Sequence, residues 1–293
     1  MSKKVACIII HGIGKQKENY AESITFELKK QFTYSIKEKS KNPEKELIVE
    51  PVLWSNVFQN AEDELWERLK QGGSLDYRNL RRLMIDFAAD AIAYVKIPND
   101  TFAYDAVHSM FAKSLHKLAR LAGETAPLCI IAHSLGTVIA SNFIYDYQAS
   151  EQKPHLISEM VKKQSTDTPL ERLETLCLFY TLGCPLPIWA LRYKNPKFGL
   201  PVTIPSPKLK NYYPDLKGEW VNYYDRDDII GFPLKTINEE YNKAVTADRE
   251  INVGDIFSSW NPAAHLGYWS DSDVIIPIAQ SLANVWLHIN SKD

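Results

Sequence analysis

Short runs of apolar, β-branched residues place the strongest constraint on how this chain can fold. Val5–Ile10 and residues 128–132 contain only apolar side chains. Uninterrupted apolar runs of this length are typical of strands that are buried on both faces of a sheet. Three more strands are predicted, at residues 47–53, within residues 173–182 and at residues 220–224.

Segments with helical spacing of apolar residues separate these strands. The predicted helices cover residues 19–39, 61–69, 80–94, 104–121, 135–147 and about 273–289. Pro277 is expected to be tolerated only in the first turn of the last helix. Alternation of apolar strands with helices predicts an α/β fold, a mostly parallel sheet with helices on both faces. The length of 293 residues is consistent with a single domain spanning residues 1–293.

Two stretches interrupt the simple alternation. Residues 55–97 form a predicted helical insertion after the second strand, and residues 184–214 contain seven prolines after the fourth. Such a proline density predicts irregular structure in the second stretch. Both are expected to cross the carboxyl edge of the sheet, where open α/β sheets bind their ligands. They are therefore possible lid elements.

Composition excludes several classes of protein. The net charge of −2 provides no strong field for nucleic acid or for an anionic membrane surface, so neither is an expected partner. The run Val5–Ile10 is too short for a signal peptide or a transmembrane segment. Cys7, Cys129 and Cys177 lie in apolar runs, which favours roles as small hydrophobic residues, and no CxxC pair occurs among the four cysteines, so a reducing compartment is favoured. We expect a soluble, cytoplasmic protein.

The most informative motif lies at residues 128–140, which read LCIIAHSLGTVIA. A strand runs through small-x-Ser-x-Gly directly into a helix, so the turn that carries Ser134 must be sharp. Ala132 and Gly136 are the small neighbours that such a turn requires. The backbone N–H of Leu135 would lie at the helix N-terminus, where it could bind an oxyanion. The alternative is that Ser134 is an ordinary helix cap, while His133 is expected to be packed rather than to act as the base.

A second loop of interest follows the first predicted strand, with the sequence HGIG at residues 11–14. Acyl-transfer sites need two oxyanion donors, and the N–H of Ile13 is the predicted second one. His11 and Gly12 are expected to support the loop. A phosphate-binding loop is the alternative, but neither GK[ST] nor GxGxxG spacing is present.

A nucleophilic serine needs a base, and on this kind of fold the chain order is serine, acid, histidine. Three histidines follow Ser134. His155 comes before the later strands and His288 lies in the last helix. His265 lies in a loop just before that helix and is the predicted base.

The predicted acid follows the fifth strand, where the sequence reads DRDDII. Asp225, Asp227 and Asp228 all compete for this role. Asp228 is preferred because the apolar pair Ile229-Ile230 would anchor it inward, and Asp225 is the main alternative.

The motifs HGIG, AHSLGT, TLGCPLP, WVNYYDRDDII and AAHLGYW together resemble the α/β-hydrolase superfamily, above all its bacterial lipase- and esterase-like branch. The resemblance extends from Val5 to the last helix. It implies Ser134 as nucleophile, Asp228 as acid, His265 as base and Ile13 as an oxyanion donor. Ala132 replaces the usual glycine, and two early strands are missing, so the N-terminal part of the sheet is expected to be trimmed.

The resemblance implies hydrolysis of a small-molecule or lipid carboxylic ester through an acyl-enzyme, without a metal or an organic cofactor. Thioesters and amides are alternative substrates for the same residues. A non-catalytic binding module with a hydrolase fold is the alternative from another class. Aromatic residues such as Trp54 and Tyr268 could line an acyl pocket or belong to the core. The sequence does not indicate an oligomeric state.

Overall fold

The computed structural model describes residues 2–12, 16–72, 76, 81, 90–96, 100–193, 199–253 and 264–291. Within these residues, six strands form one open sheet in which every pairing is parallel. The strands are β1 (Val5–Ile10), β2 (Leu47–Val52), β3 (Leu128–His133), β4 (Leu176–Leu182), β5 (Glu219–Asp225) and β6 (Ala247–Ile251). Their order across the sheet is β2-β1-β3-β4-β5-β6.

Helices flank this sheet on both faces. They are α1 (Glu22–Ile36), α2 (Gln59–Gln71), α3 (Phe102–Ala122), α4 (Leu135–Ala149), α5 (Glu159–Lys162), α6 (Leu186–Ala190), α7 (Glu239–Ala244), α8 (Ala264–Gly267) and α9 (Ser272–Asn290). Alternate residues of β1 enter two separate cores, one with α3 and α4 and the other with α1 and α9. A strand that is buried on both faces needs apolar residues at every position, which explains the sequence VACIII.

All five strands predicted from the sequence are present, whereas the sixth strand was not predicted. β6 has the sequence ADREI, and none of its residues is fully buried. It lies at one edge of the sheet and pairs with β5 alone, so it lacks the apolar pattern of a central strand. β2 forms the other edge and tolerates Pro51 there, because an edge strand has an N–H side without a partner strand.

Two expectations about proline are wrong. Pro277 is the sixth residue of α9, beyond its first turn, and buried neighbours such as Val274 and Ile278 hold the helix in the core. Tertiary packing there offsets the lost backbone hydrogen bond, a cost of about 3 kcal/mol. Residues 184–214 are not wholly irregular, because α6 forms with Pro185 as its cap and Pro187 in its first turn, positions that accept proline.

The helical insertion is described only in part. α2 covers Gln59–Gln71, in agreement with the predicted helix 61–69. Most of the predicted helix 80–94 lies outside the described residues. None of the helices in the described part of the chain is both long and apolar enough to cross a membrane.

The strand order creates a switch point between β1 and β3. From β1 the chain continues to β2 on one side, and β3 then pairs on the other side of β1. Open α/β sheets have a crevice at the carboxyl ends of the strands at such a point. The loop that begins with His11 and the turn that carries Ser134 both leave the sheet there.

Candidate active site

Ser134 is the single residue between β3 and α4. Its backbone has φ 53° and ψ −130°, a left-handed conformation that is uncommon for any residue other than glycine. The surroundings hold it there, since its N–H donates to the Leu182 carbonyl at 2.9 Å and its carbonyl accepts the Thr137 N–H at 2.9 Å. Strained residues of this kind persist only where neighbouring structure stabilises them, and they cluster at functional sites.

The side chain of Ser134 does not cap α4. It makes no capping hydrogen bond, and its Oγ is buried without a hydrogen-bond partner. The helix-cap alternative is therefore wrong. Leu135 is the first residue of α4, so its N–H has no acceptor within the helix and lies at the positive end of the helix dipole.

Two glycines allow the loop after β1 to lie against this turn. A methyl group added at Gly12 would lie 2.4 Å from Ser134 Cβ, and one added at Gly136 would lie 2.4 Å from the His11 carbonyl oxygen. Gly136 is thus needed for the approach of α4 to the end of β1. Ile13, the predicted second oxyanion donor, lies outside the described residues, and its role remains a prediction.

His265 lies in α8 and is paired with a carboxylate. Its Nδ1 is 2.9 Å from Asp228 Oδ2, while Asp228 Oδ1 accepts the Ile230 N–H at 2.9 Å. Burial would raise the pKa of Asp228, but hydrogen bonds from His265, Ile230 and Tyr268 hold that pKa below its ordinary value. The carboxylate is therefore ionised at neutral pH, and it fixes the histidine tautomer that carries its proton on Nδ1.

Asp225 occupies a different position from Asp228. Its carboxylate accepts the backbone N–H groups of Asp227 and Val253, each at 2.7 Å. These bonds hold the turn after β5. Of the three aspartates considered as the acid, the structure places Asp228 against His265.

The His265–Asp228 pair and Ser134 come together around the end of β4. Ser134 is hydrogen-bonded to Leu182, and a methyl group added at the next residue, Gly183, would lie 3.1 Å from His265 Cε1 and 2.9 Å from Asp228 Oδ2. The three residues predicted to react thus surround one corner of the sheet, although they are separated by up to 131 positions in sequence.

His133 holds the backbone of His265. Its Nε2 lies 2.6 Å from the His265 carbonyl oxygen, and the centroids of the two imidazole rings are 4.7 Å apart. Burial lowers the pKa of His133 to about 3, so the ring is neutral and donates its Nε2 proton to that carbonyl. The packed, hydrogen-bonded role expected for His133 agrees with this geometry.

His11 braces the loop after β1. Its ring stacks on Trp54, with 5.0 Å between the ring centroids and an angle of 7° between the planes. Its Nδ1 donates to the Gly12 carbonyl at 2.7 Å. Trp54 Nε1 donates to the His11 carbonyl at 3.0 Å. Burial lowers the pKa of His11 to about 3, which keeps the ring uncharged.

Unpaired polar atoms are concentrated at this corner of the sheet. In the part of the chain that the structure describes, five buried side-chain atoms have no hydrogen-bond partner, and three of them are Ser134 Oγ, His265 Nε2 and His11 Nε2. A buried polar atom without a partner costs about 1–3 kcal/mol and is uncommon in folded proteins. The site therefore retains unpaired polar atoms at a cost in stability.

The site is enclosed. Ser134 is 0% exposed, and His265 and Asp228 are also buried. Two cavities, of about 400 and 430 Å³, lie away from it, at the amino end of β5 and beside Arg226 and Glu250. Among the described residues, no group of three or more His, Cys, Asp and Glu side chains is arranged to hold a metal ion.

Tyr268 contacts the site in a way that the sequence did not reveal. Its hydroxyl donates to Asp228 Oδ2 at 2.9 Å and accepts the Asp225 N–H at 2.8 Å. The only signal in the sequence is its position three residues after His265, which brings both side chains to the same carboxylate once α8 has formed.

Comparisons of this chain with protein-family models, with curated protein sequences and with solved structures found no match. The strained turn, the His265–Asp228 pair and the unpaired Oγ of Ser134 are therefore the features from which function is inferred.

Proposed function

We propose that this protein is a serine hydrolase of the α/β-hydrolase type that cleaves carboxylic esters through an acyl-enzyme. The observation that supports it best is that one corner of the sheet holds two buried atoms without partners, Ser134 Oγ in a strained strand-to-helix turn and Nε2 of a histidine held by a buried carboxylate. A nucleophile, a base and an orienting acid in this relation are the elements of nucleophilic catalysis.

In the proposed reaction, His265 Nε2 takes the Ser134 proton while Oγ attacks the ester carbonyl. The N–H groups of Leu135 and Ile13 stabilise the oxyanion. His265 then returns the proton to the leaving alcohol, and a water molecule that His265 deprotonates attacks the acyl-enzyme and releases the acid. Asp228 keeps the proton on Nδ1 and stabilises the imidazolium that forms in each half of the reaction.

Access to the serine requires movement. Because Ser134 is fully buried, the groups that cover it must shift before a carbonyl carbon can reach Oγ. Lid and loop motions of this kind occur on the microsecond to millisecond scale in many enzymes. Because such motions are much faster than covalent labelling, we expect a small probe to reach Ser134 and to react with it specifically.

The test is covalent labelling with a fluorophosphonate probe, followed by mass-spectrometric mapping of the modified residue. Wild type is compared with Ser134→Ala and with Ser141→Ala, a control because Ser141 Oγ is likewise buried and unpaired but lies inside α4. We expect labelling of Ser134 in wild type and in Ser141→Ala, and none in Ser134→Ala. Absence of labelling in wild type between pH 6 and 9 would favour a non-catalytic binding module instead.

The type of bond that is cleaved is tested with three substrates that share a butyryl group and differ in the leaving group. Hydrolysis of p-nitrophenyl butyrate is compared with that of a butyryl thioester and of butyryl p-nitroanilide. The proposal requires the ester to react fastest and its hydrolysis to be lost in Ser134→Ala. If the thioester or the anilide reacts fastest, Ser134 remains the proposed nucleophile, but the proposed substrate class changes from an ester to a thioester or an amide.

A further inference from the structure

We propose that Tyr268 is a positioning residue, whose hydroxyl shares Asp228 Oδ2 with His265 and so sets how strongly that carboxylate binds the imidazole. Its significance for catalysis rests on the function proposed above. The hydrogen bonds themselves do not depend on that function, which allows the two proposals to fail separately.

The direction of the Tyr268 hydroxyl follows from its two partners. The Asp225 N–H donates to the hydroxyl oxygen at 2.8 Å, which leaves the hydroxyl proton for Asp228 Oδ2 at 2.9 Å. Burial raises the pKa of Tyr268 far above its ordinary value, so the hydroxyl remains protonated and remains a donor. Tyr268 therefore connects the backbone at the end of β5 to the carboxylate.

The same carboxylate oxygen receives two donors. His265 Nδ1 and the Tyr268 hydroxyl each lie 2.9 Å from Asp228 Oδ2, while Oδ1 is held by the Ile230 N–H. Each donor withdraws charge from the oxygen that it contacts, so the two bonds at Oδ2 weaken each other. Without the hydrogen bond from Tyr268, Asp228 Oδ2 would carry more negative charge and would accept a stronger hydrogen bond from His265 Nδ1.

The backbone closes the space around this oxygen. A methyl group added at Gly231 would lie 2.6 Å from Asp228 Oδ2 and 3.1 Å from the Tyr268 hydroxyl. One added at Gly183 would lie 2.9 Å from Asp228 Oδ2 and 2.9 Å from Tyr268 Cε2. Glycine at both positions lets the two loops enclose Asp228 together with its donors.

The test variant is Tyr268→Phe, and Tyr104→Phe is the matched control. Tyr104 is also a buried tyrosine whose hydroxyl donates to an aspartate Oδ2, that of Asp146 at 2.8 Å, but it lies between α3 and α4. Both variants remove one hydroxyl from a buried Tyr–Asp pair. Only Tyr268→Phe is expected to change the His265–Asp228 bond.

Two readouts are measured. The downfield proton NMR signal of His265 Nδ1–H reports the hydrogen bond in the folded protein without a substrate. The rate of fluorophosphonate labelling between pH 5 and 9 reports the pH at which His265 loses its proton and can act as the base. In Tyr268→Phe we expect the NMR signal to move further downfield, the pH of half-maximal labelling to rise by about half to one unit, and labelling at pH 7 to fall by up to about three- to tenfold.

Tyr268→Phe with an unchanged NMR signal and an unchanged pH profile overturns the inference, as does an equal change in Tyr104→Phe. If wild type is not labelled, the proposed function fails, and the NMR signal still decides the role of Tyr268. If Tyr268→Phe does not fold, 3-fluorotyrosine is placed at position 268. Its more acidic hydroxyl donates more strongly, so the NMR signal must move upfield, and no movement refutes the inference.

Discussion

Two buried groups in this protein contain the same three residue types and differ in which of their atoms are paired. The edge group consists of His265, Asp228 and Tyr268 at the carboxyl edge of the sheet. The interhelix group consists of His108, Asp146 and Tyr104 between α3 and α4. In each group the tyrosine hydroxyl donates to the aspartate Oδ2, at 2.9 Å in the edge group and 2.8 Å in the interhelix group.

The histidines are held differently. His108 Nε2 is hydrogen-bonded to the Tyr94 hydroxyl at 2.9 Å, and its Nδ1 is 3.6 Å from Asp146 Oδ2, longer than a hydrogen bond. Burial lowers the pKa of His108 to about 3, so the pair with Asp146 is not an ion pair at neutral pH. His265 has the opposite arrangement, with Nδ1 bound to the carboxylate and Nε2 unpaired.

This difference shows that a buried His–Asp–Tyr group is not by itself a site. The interhelix group uses its histidine Nε2 to bind Tyr94, as expected for a structural network. The edge group leaves that atom without a partner, at the same corner of the sheet as the strained Ser134. An Nε2 and a serine Oγ that are both buried without partners at one corner of the sheet are the features on which the proposed chemistry rests.

The largest contrast is expected between His265→Ala and His108→Ala. Loss of the base should lower the rate of fluorophosphonate labelling about 10²- to 10⁴-fold. His108→Ala should leave that rate unchanged in the folded protein and lower the free energy of unfolding by about 1–3 kcal/mol, because the Tyr94 hydroxyl loses the acceptor of its proton and keeps only the donor Asn142. Labelling kinetics and urea unfolding of both variants check this. Comparable losses of labelling in the two variants would abolish the distinction between the groups.

The second contrast concerns the identity of the acid. Asp228→Asn should lower the labelling rate about 10³- to 10⁴-fold, because the amide no longer selects the productive tautomer of His265. Asp225→Asn should change it less than tenfold, since Asp225 holds only backbone N–H groups. Single-turnover labelling at pH 8 provides the comparison. A larger loss in Asp225→Asn would assign the role of the acid to that residue.

The edge group also depends on glycine for its close packing. Gly183 has φ 53°, and an added methyl group would crowd Asp228 and Tyr268, so Gly183→Ala should lower the free energy of unfolding by about 2–4 kcal/mol. Gly72→Ala is the control, because Gly72 has φ −75° and only ordinary contacts. Its effect should lie within about 1 kcal/mol of wild type. Equal stability of the two variants in urea would show that the edge group can make room for a methyl group at position 183.

The smallest contrast concerns the sign with which protein stability depends on pH through Asp146 and through Asp228. Burial raises the pKa of Asp146 from 3.8 to about 6, so the contribution of Asp146 to stability is largest below pH 3.8 and is lost as pH rises through 6. Asp146→Asn cannot ionise and should gain about 2 kcal/mol relative to wild type between pH 4 and pH 7.

Asp228 provides the opposite case. Its pKa is lowered, so its contribution to stability is present at neutral pH and is lost as pH falls through the folded-state pKa. Asp228→Asn should therefore lose stability relative to wild type as pH rises. Unfolding curves of both variants from pH 3 to 7 give the two slopes, and slopes of the same sign would contradict the assignment.

Local signals determined the central part of the fold. The runs VACIII and LCIIA are apolar at every position, so their burial on both faces could be predicted without knowing their neighbours. The same holds for the turn at Ser134, because small residues on either side of a serine between a strand and a helix are a local requirement. Chain order then indicated His265, since it precedes the last helix.

Only the tertiary structure decided the remaining features. The apolar pair after Asp228 already favoured it over Asp225, but the contact of its carboxylate with His265 joins residues that are 37 positions apart and could not be read from local pattern. β6 was missed because an edge strand needs no apolar pattern. Tyr268 was missed because its role lies in two hydrogen bonds to a distant loop. Apolar periodicity is encoded within a few neighbouring residues, whereas the pairing of polar atoms is set by contacts between distant segments, and the site is built from those contacts.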